Sequence, residues 1–500
     1  MDIPRALEEG IKVYIALGAA GLALVWRWLP RKLAVGLLAA TVLFAGLNYA
    51  RFGTRRLDSV DTYDLIHYYL NARYFEELGY YDLYPACMLA DRENGGPRFA
   101  EGPKYMAQDE TGDHLRSVSL AVVRGQEVKA SFSPERWQAF SHDFLYLQRE
   151  IPGMNDTLWR MLIQDHGFNG TTVWTALARP LARLVPVEAV KWLCWIDVGI
   201  LLVAVGAVVW AFDGTAALWT ALFLLVSYST RWPSLSTAFL RYDYAAALII
   251  ATCALKRGRY MLAGLLGGYA ATLRIFPVLW LGLPGIKGGL GLLRGKVDRK
   301  LLILAGGFLL GAAVLQGYAT ASLGPQAVRT HWENMQQHTS AEELSSRRIG
   351  LALALNYRGE VDPKNISHDM KEAIGRQEHL RYALGGISLL LLGFALRRSP
   401  DEEVFALGFV PFFLFTTASY YYYVVRAPLV AVHAGGRASP RHTVGLAMLF
   451  GMEALTHGIQ TWWPDHRVML IGWLAWGICL YIAVMTGWLL LRPPPERATS

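Results

Sequence analysis

Apolar runs of near-bilayer length recur from one end of this chain to the other, separated by short joints rich in Lys and Arg. A hydrocarbon core requires about 20 apolar residues per helix. Backbone in lipid must also satisfy its own hydrogen bonds, which leaves helices as the structure such runs can take. With 53% hydrophobic residues in 500 and a mean hydropathy of +0.26, the chain reads as an all-α polytopic membrane protein. The runs amount to about 11–13 transmembrane or re-entrant helices. The net charge of +8 collects in the joints, as the positive-inside rule expects. The partner it implies is therefore the lipid bilayer and not nucleic acid.

Residues 11–28 and 33–49 form an expected N-terminal hairpin (1–52) around the basic joint Leu29-Pro30-Arg31-Lys32. That joint belongs inside, which puts the long polar segment 53–184 on the extracytoplasmic side. The segment keeps many aromatics and helix-like stretches such as Pro134–Arg149, so it should fold. A transmembrane core follows at 185–322, with spans at 187–212, 216–228, 242–255 and 301–323. A second outer loop, 323–380, includes a short apolar piece at 349–355. A C-terminal bundle, 381–500, has runs at 382–396, 404–417, 421–432, 444–458 and 468–491.

Between the basic joints at 256–259 and 287–300 lie only about 27 residues, too few for two crossings at 1.5 Å per residue. Residues 260–286 should therefore be two half-helices turning within the membrane near Arg274-Ile-Phe-Pro277, since proline cannot continue a helix cleanly. Of the four cysteines, Cys194, Cys253 and Cys479 fall in apolar runs and Cys87 stands alone in the loop. Neither a disulfide framework nor a CxxC metal site can be built from them. The N-terminus has no basic n-region or cleavage site, so the first run is expected to be an uncleaved anchor.

Chemistry concentrates where the second run ends, in Asp58-Ser-Val-Asp61-Thr-Tyr-Asp64-Leu-Ile-His67-Tyr68-Tyr69. If 62–78 is helical, Asp61, Asp64 and Tyr68 share a face. The acids could equally be favoured by the positive end of a helix dipole. Ionisable residues in apolar runs are costly and mark further candidates. Arg274 could hold a phosphate through two parallel hydrogen bonds or pair internally with Asp243. Arg241 and Asp243 could pair with each other. Tyr420-Tyr-Tyr-Tyr423 reads as an aromatic belt, leaving Arg426 unexplained. Glu453 and His457 suit either a proton relay or a helix contact, and Arg347-Arg348 an anionic group or plain surface charge. Asp165-His166 lacks further metal ligands at useful spacing. Nothing matches a P-loop, a dinucleotide fingerprint or a zinc-protease helix.

Three stretches resemble one known group. Asp64-Leu-Ile-His-Tyr68-Tyr-Leu-Asn-Ala72, continuing to Gly79-Tyr-Tyr-Asp-Leu-Tyr84, is similar to the Asp-Leu-x-x-Tyr-x-x-Ala start of the first outer loop in the C-type (GT-C) membrane glycosyltransferases. The likeness is to their polyprenol-phosphate-mannose-dependent branch. Gly167-Phe-Asn-Gly-Thr-Thr-Val-Trp174 with Arg179-Pro-Leu181 is similar to that loop's end. Arg241-Tyr-Asp-Tyr244, Ala263-Gly264, Gly267-Gly268 and Arg274-Ile-Phe-Pro277 approximate a third motif, with Arg and Asp where the family has Gln and Asn.

The resemblance implies transfer of a sugar from a polyprenyl-phosphate-linked donor to an extracytoplasmic acceptor, with inversion, at a bacterial plasma membrane. It makes Asp64 the general base, with Asp61 and Asp58 as alternates and His67 beside them. Arg274, Arg241 and Arg426 would bind the donor phosphate, and Tyr68, Tyr69, Asn169 and Tyr422 would contact substrate. No cofactor is implied, although three nearby carboxylates leave room for a divalent cation. Rival readings are a catalytically silent subunit that docks membrane-protein partners through residues 85–160, and a transporter of a lipid-linked substrate. The absence of an internal repeat weakens the latter.

Overall fold

The structure, a computed structural model, describes residues 5–53, 60–96, 104–109, 112–149, 156–165, 167–338, 345, 347–359 and 366–492. It is almost wholly helical. The strands described are a hairpin, Lys104–Asp109 with Gly112–Ser117, and a two-residue pair, Arg348–Ile349 with Ala418–Ser419. Six helices among the described residues are long and apolar enough to cross a membrane: Ala6–Trp28, Arg31–Tyr49, Lys191–Ala211, Arg299–Leu323, Glu378–Arg398 and Arg467–Leu491. Shorter apolar helices, Gly214–Val226, Tyr260–Leu273 and Phe276–Leu292, lie among them.

The about 11–13 transmembrane or re-entrant helices expected from apolar runs thus divide into six long ones and a set of shorter pieces. The run at 404–417 is two short helices, Asp401–Ala406 and Phe409–Phe415. They break at Gly408, where a Cβ would lie 2.3 Å from Cγ of Trp280. The run at 421–432 is a 3-10 segment, Tyr420–Arg426, followed by the helix Ala427–Gly435. The helix Pro440–Trp462 is 23 residues long but carries buried Arg441, Glu453 and His457. An apolar run therefore marks burial here as often as contact with lipid.

The expected half-helix hairpin is present. The Tyr260–Leu273 helix ends where Arg274 turns extended (φ −141°, ψ 118°), and Pro277 lies at the start of the 3-10 turn Phe276–Leu281. Both feet of the hairpin meet one carboxylate: Tyr260 Oη donates to Asp401 Oδ2 at 2.6 Å and Lys287 Nζ to Asp401 Oδ1 at 2.6 Å. The chain has thus gone out and come back. The Tyr260–Leu273 helix packs on Arg299–Leu323 backbone to backbone. A Cβ at Gly264 would meet Leu304 O at 2.3 Å, and one at Gly268 would meet Phe308 O at 2.3 Å. Small residues four apart permit such an approach.

Contacts between helix ends sort the joints onto two faces. On one, Lys256 pairs with Glu402, Arg441 with Glu403 and Arg437 with Asp213, while Arg257 donates to Trp210 O. On the other, Glu9 pairs with His457 and Arg231, Glu8 with Lys12 and Arg51, and Tyr228 with Gln460. The large loop folds on this second side around Phe132, Trp137, Phe140, Phe144 and Trp159. Its Pro134–Arg149 helix is as expected.

Candidate functional site

The site is assembled from three stretches far apart in sequence. Asp61 caps a short helix, Thr62–Leu65, accepting from Asp64 N at 3.1 Å. The expected continuous helix over 62–78 is instead broken: residues Ile66–Leu70 form a π turn, a local widening common at functional sites. Asp64 on the first turn and Tyr68 in the widened one both meet Arg241. Asp64 Oδ1 pairs with Arg241 Nε at 3.1 Å, and the Arg241 guanidinium lies 4.4 Å from the Tyr68 ring centre.

Arg241 is held by a residue that reading the sequence missed. Asp197, fully buried in the Val190–Ala211 helix, accepts from the backbone N–H of Arg241 (2.8 Å) and of Tyr242 (3.1 Å). Trp174 Nε1 donates to Leu240 O at 2.9 Å. Between these anchors Leu240 adopts φ 49°, a costly conformation for a branched side chain that persists only when its surroundings enforce it. A lone acid within the apolar run was the available signal.

The tip of the half-helix hairpin completes the cleft with Arg274, whose guanidinium lies 5.7 Å from the Tyr244 ring centre and donates to Leu273 O at 3.1 Å. Asp243, offered by sequence as a partner for either arginine, accepts from Tyr244 N and Tyr269 Oη instead. Asp64, Arg241 and Arg274 are 2%, 7% and 7% exposed. Each retains a buried polar atom with no partner among the described residues: Asp64 Oδ2, Arg241 Nη1 and Arg274 Nε. Pro233, Tyr242, Tyr244, Tyr421 and Tyr422 wall a small, open cleft with the two arginines. Burial pushes the Asp64 carboxyl up to about 6, against the pull of Arg241 and Arg274. An uncompensated buried N–H or carboxylate oxygen costs about 1–3 kcal/mol. Such atoms are candidates for contact with a bound polar group.

The remaining sequence candidates divide. Tyr68 Oη donates to Asn169 Oδ1 at 2.6 Å, joining two of them at the cleft's edge. His67 has both ring nitrogens bonded, Nδ1 with Tyr63 O and Nε2 with Tyr84 Oη, each at 2.8 Å. Burial lowers its pKa, so it is a neutral strut. Tyr69 turns away to Val185 O. Arg426 is closed off: Nη2 donates to Glu453 Oε1 at 2.6 Å and Nε to Tyr423 O at 3.0 Å. Glu453 and His457 serve separate helix contacts, with Arg426 and Glu9 respectively. Asp165 accepts from Tyr63 Oη. Asp58 and His166 lie outside the described residues. Among the described residues no three His, Cys, Asp or Glu side chains are grouped to hold a metal ion.

Fold and cleft together define a helical membrane protein with a buried, doubly cationic pocket opening beside an unpartnered carboxylate oxygen. No protein-family model, curated protein or solved structure matches this chain.

Proposed function

We propose that the protein is an integral membrane glycosyltransferase of GT-C-like design, moving a sugar from a polyprenyl-phosphate donor to an extracytoplasmic acceptor. The observation that carries the reading is Asp64, paired through Oδ1 with Arg241, which lines one cleft with Arg274; Asp64 Oδ2 and an N–H of each arginine have no partner among the described residues. The donor phosphate would lie against Arg241 Nη1 and Arg274 Nε. The acceptor hydroxyl attacks the anomeric carbon from the opposite face of the sugar, and Asp64 Oδ2 takes its proton. The bond from the anomeric carbon to the phosphate oxygen breaks with inversion, and polyprenyl phosphate departs with the electron pair. Charge-assisted hydrogen bonds from the arginines offset the growing negative charge. A carboxylate titrating near 6 is ionised at neutral pH yet basic enough to act. The large loop belongs, on this reading, outside the cytoplasm, and the face bearing Lys256, Lys287 and Arg441 inside.

The test is sugar transfer from purified lipid-linked donors by the protein in nanodiscs. Wild type should transfer, and Asp64→Asn should lose about 10²–10⁴-fold while still binding polyprenyl phosphate. Full activity in Asp64→Asn would remove the base assignment. Absence of transfer with every donor, together with stoichiometric co-purifying partners, would favour the silent-subunit reading. Counterflow of the lipid-linked substrate in liposomes would favour transport.

A further inference from the structure

A third cation stands outside the cleft, on the other side of Tyr421 from Arg241. The Arg241 guanidinium lies 5.5 Å from the Tyr421 ring centre, and the Trp232 ring centre lies 6.2 Å from that of Tyr421. The Arg347 guanidinium lies 5.9 Å from the Trp232 ring centre, and Tyr63 meets the same indole edge-on at 5.8 Å. Trp232, Tyr63, Tyr421 and Arg347 are all half-buried, so each presents part of its surface outward.

Four loops are fixed to bring these groups together. Tyr420 N donates to Arg347 O at 2.8 Å, and Arg348–Ile349 pairs with Ala418–Ser419. Ser229 Oγ donates to Tyr420 O at 2.9 Å, and Asp61 N to Thr237 O at 2.7 Å. Tyr63 is held through its hydroxyl by Asp165 at 2.5 Å. No carboxylate among the described residues pairs with Arg347. A guanidinium held beside an indole by cation–π attraction keeps N–H donors for a further partner, in a fork that fits a carboxylate or phosphate.

We infer that Trp232, Tyr63 and Arg347 form a separate subsite for an anionic saccharide, the aromatic rings packing the C–H faces of the sugar and Arg347 binding its carboxylate or phosphate. Tyr63 of the subsite lies one residue before Asp64 in the helix that Asp61 caps. Assignment of the subsite to the acceptor rests on the transferase reading above, whereas the binding itself does not. Sugar hydroxyls held there are directed toward the carboxylate that must deprotonate one of them. Neither an aromatic belt nor plain surface charge accounts for a half-buried arginine clamped over an indole by backbone pairing.

The experiment is saturation-transfer NMR on the protein in nanodiscs, with glucuronic acid, glucose 6-phosphate, glucose and inorganic phosphate as probes. Both anionic sugars should bind through their ring protons at least tenfold tighter than glucose. Inorganic phosphate should fail to displace them at equal concentration. Arg347→Gln should weaken the anionic sugars about tenfold, the scale of one lost charge-assisted hydrogen bond, and leave glucose unchanged. Trp232→Phe, which keeps an aromatic face and the packing with Tyr63, should retain most binding, and Trp232→Ala should lose it. Arg274→Gln should leave sugar binding intact, which separates this subsite from the donor cleft. Equal binding of glucose and glucuronic acid, or no effect of Arg347→Gln in a folded protein, would overturn the proposal. So would ready displacement by inorganic phosphate. If these sugars bind as expected but no transfer is ever observed, the subsite stands and the transferase reading falls.

Discussion

Asp64 is asked to remain charged in a place that penalises charge. Its carboxyl titrates near 6 because burial outweighs the two arginines beside it. The folded-state value lies above the usual 3.8, so the favourable contribution of the protonated form is complete below 3.8 and disappears as pH rises through about 6. On the proposed transferase reading, activity should move the opposite way, because the base must be ionised. The rate of transfer should therefore climb with pH through an acid limb centred near 6 and flatten by neutrality, and an invariant rate from pH 5 to 7 would rule out Asp64 as the base. For Arg274, replacement by Gln should raise the KM for the lipid-phosphate donor and lower kcat by about 10²–10³, the cost of one preorganised donor. Transfer assays at varied donor concentration separate the two. The residue scale is also where the sequence was least legible. Asp64 and Arg274 could be picked out because charge beside or within an apolar run is expensive, but the ion pair joining Asp64 to Arg241 crosses most of the fold and leaves no trace in spacing. Arg426 was undecidable for the same reason, its partner Glu453 lying on another helix.

At the scale of elements, the half-helix hairpin was readable because loop spacing and Pro277 left no other way to fit 27 or so residues between two basic joints. Its close packing was only half readable. Gly264, Gly267 and Gly268 appear in sequence as small residues, but that Gly264 meets Gly307, and Gly267 and Gly268 meet Phe308, is set by the structure alone. Gly268→Val would drive a Cβ into Phe308 O and Ala312 N, backbone atoms that cannot yield. It should destabilise the protein by about 1–3 kcal/mol or more, seen as a lower thermal midpoint in nanodiscs, whereas Gly306→Ala, with open space around it, should leave that midpoint unchanged. Asp197 sets a second element, the strained turn at Leu240. Asp197→Asn keeps the shape of the side chain but can accept only one of the two N–H groups now bound. It should loosen Arg241 and raise the KM for the donor several-fold more than it shifts the thermal midpoint; a loss of stability without a change in KM would reduce Asp197 to a packing role.

For the whole molecule, composition and hydropathy announced a helical membrane protein, and the positive joints anticipated a common face. Of the about 11–13 helices they led one to expect, six among the described residues are long and apolar enough to cross, with shorter apolar helices between them. Only contacts, such as Trp280 against Gly408, reveal which of them are interior. The two-faced arrangement is checkable with single cysteines in a background lacking the four native ones. Positions 30, 258 and 295 should label from one side of sealed vesicles, and positions 95 and 115 from the other. Mixed labelling within either set would break the topology. One further consequence concerns depth. The helix leading from the Asp401 foot to Arg274 has 14 residues, which reach about 21 Å at 1.5 Å each. A hydrocarbon layer is about 30 Å thick. On the proposed topology, with that helix upright from the inner boundary, Arg274 would stop roughly 9 Å short of the far one. An anion seated on it would be submerged, beyond the reach of mobile ions that mute charges at the surface. Its affinity should consequently change little between dilute and concentrated salt, in contrast to a phosphate held at the membrane's rim.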